Sequence, residues 1–244
     1  MNYDDIQKFL TVTVKNAYVE INNINIETTF NNNDYVTNCD LIIEKYIINC
    51  IQKTYPDIPI LSEELNKKDL NGTYFLIDPI DGTANFANNL DIWGIQVAFV
   101  QDNECKISSM YFPKLDILVE TIKGRGSFIN GIKSSIKNFD ILNKSMISLN
   151  CKQNLKLYHL LVNIGKDISR VRLLGCPSYS FALVAKGCLD AYILIGNTKY
   201  DIDPGLLACV ESGAKYYRDN ICTIVANSNE LIDFLKNEIY KVFK

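Results

Sequence analysis

Apolar residues recur at three- and four-residue spacing near both ends of the chain and fall into short runs between them. Ile6, Phe9, Leu10, Val14 and Ala17 form one stripe, which predicts a first helix capped by Asp4 and running to about Ile21. An asparagine-rich loop over 22–34 precedes a second predicted helix over 40–53. After Pro56 the pattern changes to strands, at 58–62, 73–78, 93–101, 106–111, 117–122 and 126–129, with a hairpin signature at Asp102-Asn103-Glu104. Beyond Ser135, strands over 146–150, 171–174, 191–194 and 223–226 alternate with helices over 155–165, 179–186 and 203–212. A last helix is capped by Ser228 and presents Leu231, Leu235, Ile239 and Val242 on one face. Residues 1–135 therefore read as an α+β half and residues 136–244 as an α/β half, the two tightly packed in layers.

Composition narrows the class. The 244 residues are 48% hydrophobic and 22% charged, with a net charge of -3, as in an ordinary globular protein. No apolar run approaches the roughly 18 residues that a membrane helix needs. The start, Met1-Asn2-Tyr3-Asp4-Asp5, lacks the basic and apolar regions of an export signal, which predicts a cytoplasmic protein. A pI near 5.3 and scarce arginine argue against a nucleic-acid-coating surface. Eight cysteines occur with no pair separated by only two residues, so free buried thiols are expected in preference to zinc or dithiol sites. The single histidine, His159, lies among leucines on a predicted helix and is expected to pack, which sets nucleophilic triads aside.

Carboxylates gather where apolar runs end. Glu63 and Glu64 follow Pro59-Ile60-Leu61-Ser62; Asp78 follows Tyr74-Phe75-Leu76-Ile77, and Asp81 comes three residues later. A carboxylate at the end of a buried strand is partly desolvated, which is costly unless a cation compensates it. Oxygen ligands of this kind suit Mg²⁺, completed by substrate phosphate. Gly82 and Thr83 follow directly, and glycine at the opening of a helix allows an anion to approach backbone N–H groups. The alternative is a plain strand-end turn built from the usual turn residues. Asp40 opens a helix and reads first as its N-cap, with a chemical role the alternative; Glu64 is open between solvent and support, and Trp93 reads as packing.

The segment Asp78-Pro79-Ile80-Asp81-Gly82-Thr83-Ala84-Asn85-Phe86 resembles the signature of the inositol monophosphatase family, Mg²⁺-dependent, lithium-sensitive phosphomonoesterases. Four further segments are similar to family motifs in the same order: Asp34-Tyr35-Val36-Thr37-Asn38-Cys39-Asp40, Ile60-Leu61-Ser62-Glu63-Glu64 with serine for the usual glycine, Gly124 to Gly131, and Tyr200-Asp201-Ile202-Asp203-Pro204-Gly205. The resemblance implies a layered αβαβα sandwich of the inositol monophosphatase/fructose-1,6-bisphosphatase type and a homodimer. It implies two or three Mg²⁺ ions, held by Glu63, Asp78, the Ile80 carbonyl, Asp81 and Asp201. Asp40, Thr83 and Glu63 would be catalytic, positioning and activating the attacking water. Gly82, Thr83, Asp81 and Asp201 would bind the substrate, a small phosphorylated metabolite, with no nucleic-acid polymer or membrane as partner.

Two departures bear on function. Asp203-Pro204 replaces a pair of alanines; Asp203 is expected to cap a helix that starts there, or else to add charge to the site. Leu194 stands where inositol-specific members carry a glutamate facing the polyol, so discrimination for a polyol should weaken. Inositol 1-phosphate, fructose 1,6-bisphosphate, 3′-phosphoadenosine 5′-phosphate and NADP(H) are therefore all candidate substrates. Arg170 and Arg172 alternate along a predicted strand, either contacting a second phosphate or forming a solvated edge. A phosphate- or metal-binding regulatory protein without turnover is the reading from another class.

Overall fold

The computed structural model describes residues 2–31, 34–68, 70–151, 155–196 and 198–243. In chain order the elements are α1 (Tyr3–Val19), β1 (Thr28–Asn31), β2 (Asp34–Thr37), α2 (Asn38–Thr54), β3 (Ile60–Ser62), β4 (Tyr74–Asp81), α3 (Thr83–Ala87), β5 (Gly94–Gln101) and β6 (Glu104–Phe112). There follow β7 (Ile117–Ile122), β8 (Gly126–Ile129), β9 (Ile132–Lys133), β10 (Met146–Asn150), α4 (Leu155–Ile164), β11 (Arg170–Arg172) and α5 (Pro177–Ala185). The chain continues through β12 (Ala191–Ile195), α6 (Lys199–Glu211), β13 (Lys215–Arg218), β14 (Cys222–Ala226) and α7 (Asn229–Phe243).

Five layers result. Helices α1 and α2 cover one face of a seven-stranded sheet of order β3-β4-β5-β6-β7-β8-β9, antiparallel except for the β3–β4 pair. Helices α5 and α6 lie between this sheet and a five-stranded one of order β11-β10-β12-β14-β13, whose outer face is covered by α4 and α7. This is an αβαβα sandwich. Three main cores fill the spaces between the layers: Leu10, Ile43, Ile47 and Phe75 under the first helices, Phe112, Phe181 and Tyr192 on both sides of α5 and α6, and Leu160, Ile193 and Leu235 on the far side. Trp93 packs edge-on to Phe86 with ring centroids 4.8 Å apart, a packing role. Among the described residues, no helix is long and apolar enough to cross a membrane.

Several local expectations are corrected. Helix α1 is capped by Asn2, whose side chain accepts from the Asp4 backbone N–H, so Asp4 belongs to the first turn instead of preceding it. The 22–34 segment is not all loop: β1 and β2 form a hairpin whose exposed Phe30 meets Tyr35 at 4.9 Å. Asp102 and Asn103, both at positive φ, form the two-residue turn of the β5–β6 hairpin, and Glu104 already belongs to the strand. Strand β4 runs on to Asp81, because a bulge between Asp78 and Asp81 absorbs Pro79, where no ladder N–H is needed. His159 is exposed; Leu157 and Leu160 on either side take the buried positions. All eight cysteines are free, but only Cys39, Cys176, Cys209 and Cys222 are buried, and Cys188 is exposed.

Helix α6 starts at Lys199, not at Asp203, with Thr198 as its N-cap. Pro204 therefore sits inside the helix, and its carbonyl accepts from the Ser108 hydroxyl at 3.1 Å. One turn of this central helix depends on a missing side chain. A Cβ at Gly205 would lie 2.5 Å from Phe181 Cδ2 and 2.6 Å from its Cβ, so α5 and α6 approach through that glycine. Gly205→Ala is expected to lower stability by about 1–3 kcal/mol through overpacking. Urea unfolding checks this through a lower midpoint at unchanged slope.

Candidate active site

The β4 bulge sets Pro79 and Ile80 against Ile95 alone, since Asp78 pairs with Gln96 and Asp81 with Gly94. It brings both carboxylates to one place. Helix α6 adds Asp201 from its first turn, where the helix dipole favours an acid and the Thr198 hydroxyl bonds to it. One oxygen from each of Asp78, Asp81 and Asp201 lies within 4.8 Å of the others. Asp78 is 1% exposed; its Oδ2 accepts from Gln96 Nε2 at 2.9 Å, while Oδ1 has no partner. Asp81 Oδ2 accepts from the Ser178 N–H at 2.5 Å and the Cys176 thiol at 3.1 Å. Glu63 reaches the cluster from the loop after β3 and comes within hydrogen-bonding reach of Asp78.

The electrostatics follow from that crowding. Burial first, then the charge of Asp201, pushes Glu63 well above the usual carboxylate range. Burial, with Glu63 and Asp81 behind it, does the same to Asp78. Burial also raises Asp81, against the bonds from Ser178 and Cys176. An all-oxygen cluster with a buried, unpartnered carboxylate oxygen fits a hard divalent cation.

Thr83 opens α3 just after Gly82, which adopts a left-handed φ of 86° and packs within 3.3 Å of Cys176, Ile92 and Gly175 atoms at its Cβ position. The Gly82 N–H is turned to the Asp81 carboxylate. The Thr83 hydroxyl lies 2.8 Å from the Ile80 carbonyl and 3.4 Å from Asp40 Oδ1. Asp40 is not the N-cap of α2: Thr37 is, and Asp40 Oδ2 accepts from the Thr37 N–H at 2.8 Å and hydroxyl at 2.6 Å in a capping box. Burial, offset in part by the Thr37 bonds, raises Asp40 from 3.8 to about 6.

Glu63, Asp78, Ile80, Asp81, Gly82, Thr83 and Asp201 line one cleft of about 460 Å³, with Asp40 behind Thr83. Its far wall is largely uncharged, with Asn150, Pro177, Leu194 and Ile195. Asp203 neither caps a helix nor joins the cluster: its carboxylate is bonded to Arg218 at 2.6 Å in a different cavity. Arg170 and Arg172 are exposed on β11, the sheet edge, and do not line the cleft. Glu64 turns to Lys67, 3.4 Å away. Sequence reasoning missed Gln96, Ser178, Thr198 and Glu44. Gln96 and Glu44 left a signal, each a polar residue in an otherwise buried run.

Comparison with known proteins matches residues 5–232 to the model of the inositol monophosphatase family. An inositol-1-monophosphatase of Bacillus subtilis is 30% identical over 227 residues, 88% of this chain and 86% of its own. A fructose-1,6-bisphosphatase/inositol-1-monophosphatase of Aquifex aeolicus is 27% identical, covering 83% of this chain and 80% of its own. The extragenic suppressor protein suhB of Bartonella henselae superposes with a TM-score of 0.88 at 20% identity, over 97% of this chain and 99% of that one.

Proposed function

The chain belongs to the inositol monophosphatase family of phosphoric monoester hydrolases, and we propose that it hydrolyses a small-molecule phosphate monoester with Mg²⁺, inositol 1-phosphate being the first substrate to test. The observation that carries this reading is the buried, unpartnered Oδ1 of Asp78, a carboxyl crowded by Glu63, Asp81 and Asp201. In it, Glu63, Asp78, Asp81, Asp201 and the Ile80 carbonyl hold two or three ions. That carbonyl has a second lone pair beside the one Thr83 uses. When bound, Mg²⁺ supplies charge neutralisation for the phosphoryl group and a lowered pKa for the attacking water.

The chain's own groups do the rest. Thr83 has a single hydroxyl proton, now directed to Ile80, and a turn of its side chain redirects it to Asp40 Oδ1. Asp40 keeps Oδ1 available because Thr37 occupies Oδ2. Asp40, whose carboxyl burial raises to about 6 in the metal-free protein, is placed to accept a proton relayed from water through Thr83. Gly82 gives the phosphate close access to the backbone at the start of α3. The same reading makes the protein a cytoplasmic, lithium-sensitive homodimer.

A second reading follows from the far wall. Leu194 and Ile195 offer no acceptor to a polyol, while an apolar surface suits the base of a nucleotide substrate such as 3′-phosphoadenosine 5′-phosphate or NADP⁺. Phosphate release with Mg²⁺, with and without EDTA, separates the possibilities across inositol 1-phosphate, fructose 1,6-bisphosphate, 3′-phosphoadenosine 5′-phosphate and NADP⁺. Hydrolysis of inositol 1-phosphate that EDTA abolishes is the expected result. A nucleotide ahead by orders of magnitude favours the second reading. A folded protein that binds Mg²⁺ and releases no phosphate from any of the four is a binding protein instead.

A further inference from the structure

Helix α2 carries a second carboxylate one turn beyond Asp40. Glu44 is 0% exposed, and among the described residues no basic side chain forms an ion pair with it. A buried carboxylate without a cation is costly unless donors satisfy it. Here the donors all come from one short loop. Glu44 Oε1 accepts from the Ser62 hydroxyl and from the Leu65 N–H at 2.7 Å, and Oε2 accepts from the Glu64 N–H at 3.0 Å. The loop is closed on itself as well: Asn66 N–H donates to Ser62 Oγ and Ser62 N–H donates to the Asn66 carbonyl, both at 3.1 Å.

Residue 63 is the one held between these anchors. With Ser62 and Glu64 both tied to Glu44, the intervening backbone has little freedom, and the Glu63 carboxylate is delivered to Asp78. The same helix presents Asp40 to Thr83. One rigid element thus sets the separation between the Glu63 side of the cluster and the Asp40–Thr83 pair.

We propose that Glu44 is a positioning residue: by binding the Ser62–Leu65 loop it fixes Glu63 and thereby sets the affinity of the site for its divalent cation. The inference rests on the reading of Glu63 as a metal ligand. It also gives the serine at position 62 a purpose, since its hydroxyl supplies one of the three bonds to Glu44 and a glycine could not.

Glu44→Gln tests it, because the amide puts a donor against one of three donors while keeping the shape. Mg²⁺ titrated alone by calorimetry is expected to bind about 10–100-fold more weakly, the range for groups that orient metal ligands. Half-activating Mg²⁺ should rise by the same factor. At saturating Mg²⁺ the substrate KM should be unchanged and kcat largely recovered, and amide exchange over 62–66 should quicken. Glu44→Asp, which keeps the charge, is expected to recover part of the affinity. Ser62→Gly removes one of the three bonds to Glu44 together with the Asn66 N–H bond to Ser62 Oγ, and should weaken Mg²⁺ binding less than about tenfold. If Glu44→Gln does not fold, this variant decides. Wild-type Mg²⁺ affinity in a folded Glu44→Gln, or in Ser62→Gly if that variant must decide, overturns the role of Glu44 alone. A kcat loss that saturating Mg²⁺ does not restore also overturns it, pointing to a general structural defect. A wild-type protein that binds no Mg²⁺ overturns the metal-site reading and this inference with it.

Discussion

Asp78→Asn is expected to abolish hydrolysis and, in the same protein, to raise the stability of the metal-free form. Both effects come from one oxygen. Asp78 Oδ1 is buried and unpartnered, and the carboxylate is crowded by Glu63, Asp81 and Asp201. Asp78 would be among the groups that hold Mg²⁺, so removing its charge takes away transition-state stabilisation worth several kcal/mol, or about 10³-fold in kcat/KM. Without Mg²⁺ the charge is a liability. An asparagine accepts from Gln96 through its oxygen and donates to Glu63 through its nitrogen, so two like charges become a hydrogen bond. Each pKa unit by which burial and repulsion raise such a group is about 1.4 kcal/mol, and 1 kcal/mol moves the Tm of a chain this size by roughly 2–4 °C. Thermal unfolding in EDTA should therefore give a higher Tm for Asp78→Asn than for wild type, while added Mg²⁺ raises only the wild type appreciably. A variant that loses activity and also melts lower in EDTA would place Asp78 among structural residues.

The Asp78–Thr83 segment was legible from sequence because its signals are local: a buried strand, a proline, two carboxylates and a glycine. The bulge that aims both carboxylates was not, because it depends on where Gly94 of the neighbouring strand pairs. Distance in sequence explains the other omissions. Ser178 bonds to Asp81 across 97 positions, and Glu44 serves a loop about twenty residues away, so neither leaves a motif. Helix α6 shows competing local signals. Asp203-Pro204 has the form of a cap followed by a first-turn proline. Thr198 and Asp201 supply an equivalent start earlier, and Arg218 takes the Asp203 carboxylate that would have capped. The αβαβα layering was readable mainly through the family resemblance, since alternation in the second half fixes neither sheet order nor which helices lie between the sheets. The β1–β2 hairpin lay hidden in an asparagine-rich stretch, where the sheet formers Thr28, Thr29 and Phe30 pair with Thr37, Val36 and Tyr35 across the strands.

Raised carboxylates also fix the sign of a pH effect. Asp40, Glu63, Asp78 and Asp81 each hold their proton to higher pH in the folded metal-free protein than in the unfolded chain, chiefly because of burial. Between the unfolded value, about 4, and the folded values, the native state binds more protons, so their contribution to stability falls as pH rises. For Asp40 the window runs from 3.8 to about 6, a loss on the order of 3 kcal/mol over that interval. The other three extend the decline upward. In EDTA, Tm is therefore expected to fall on the order of 5–10 °C between pH 4.5 and 7. Mg²⁺ competes with the same protons, so it should bind more tightly, and stabilise more, at pH 7 than at pH 5. Scanning calorimetry at both pH values, with EDTA or with Mg²⁺, measures all four corners of that square. Asp40→Asn should remove its own share of the decline while leaving the Mg²⁺-dependent rise at pH 7. A metal-free protein that gains stability from pH 5 to 7 would show that these carboxylates find cationic partners within the chain, and the cleft would then have no electrostatic demand for a metal.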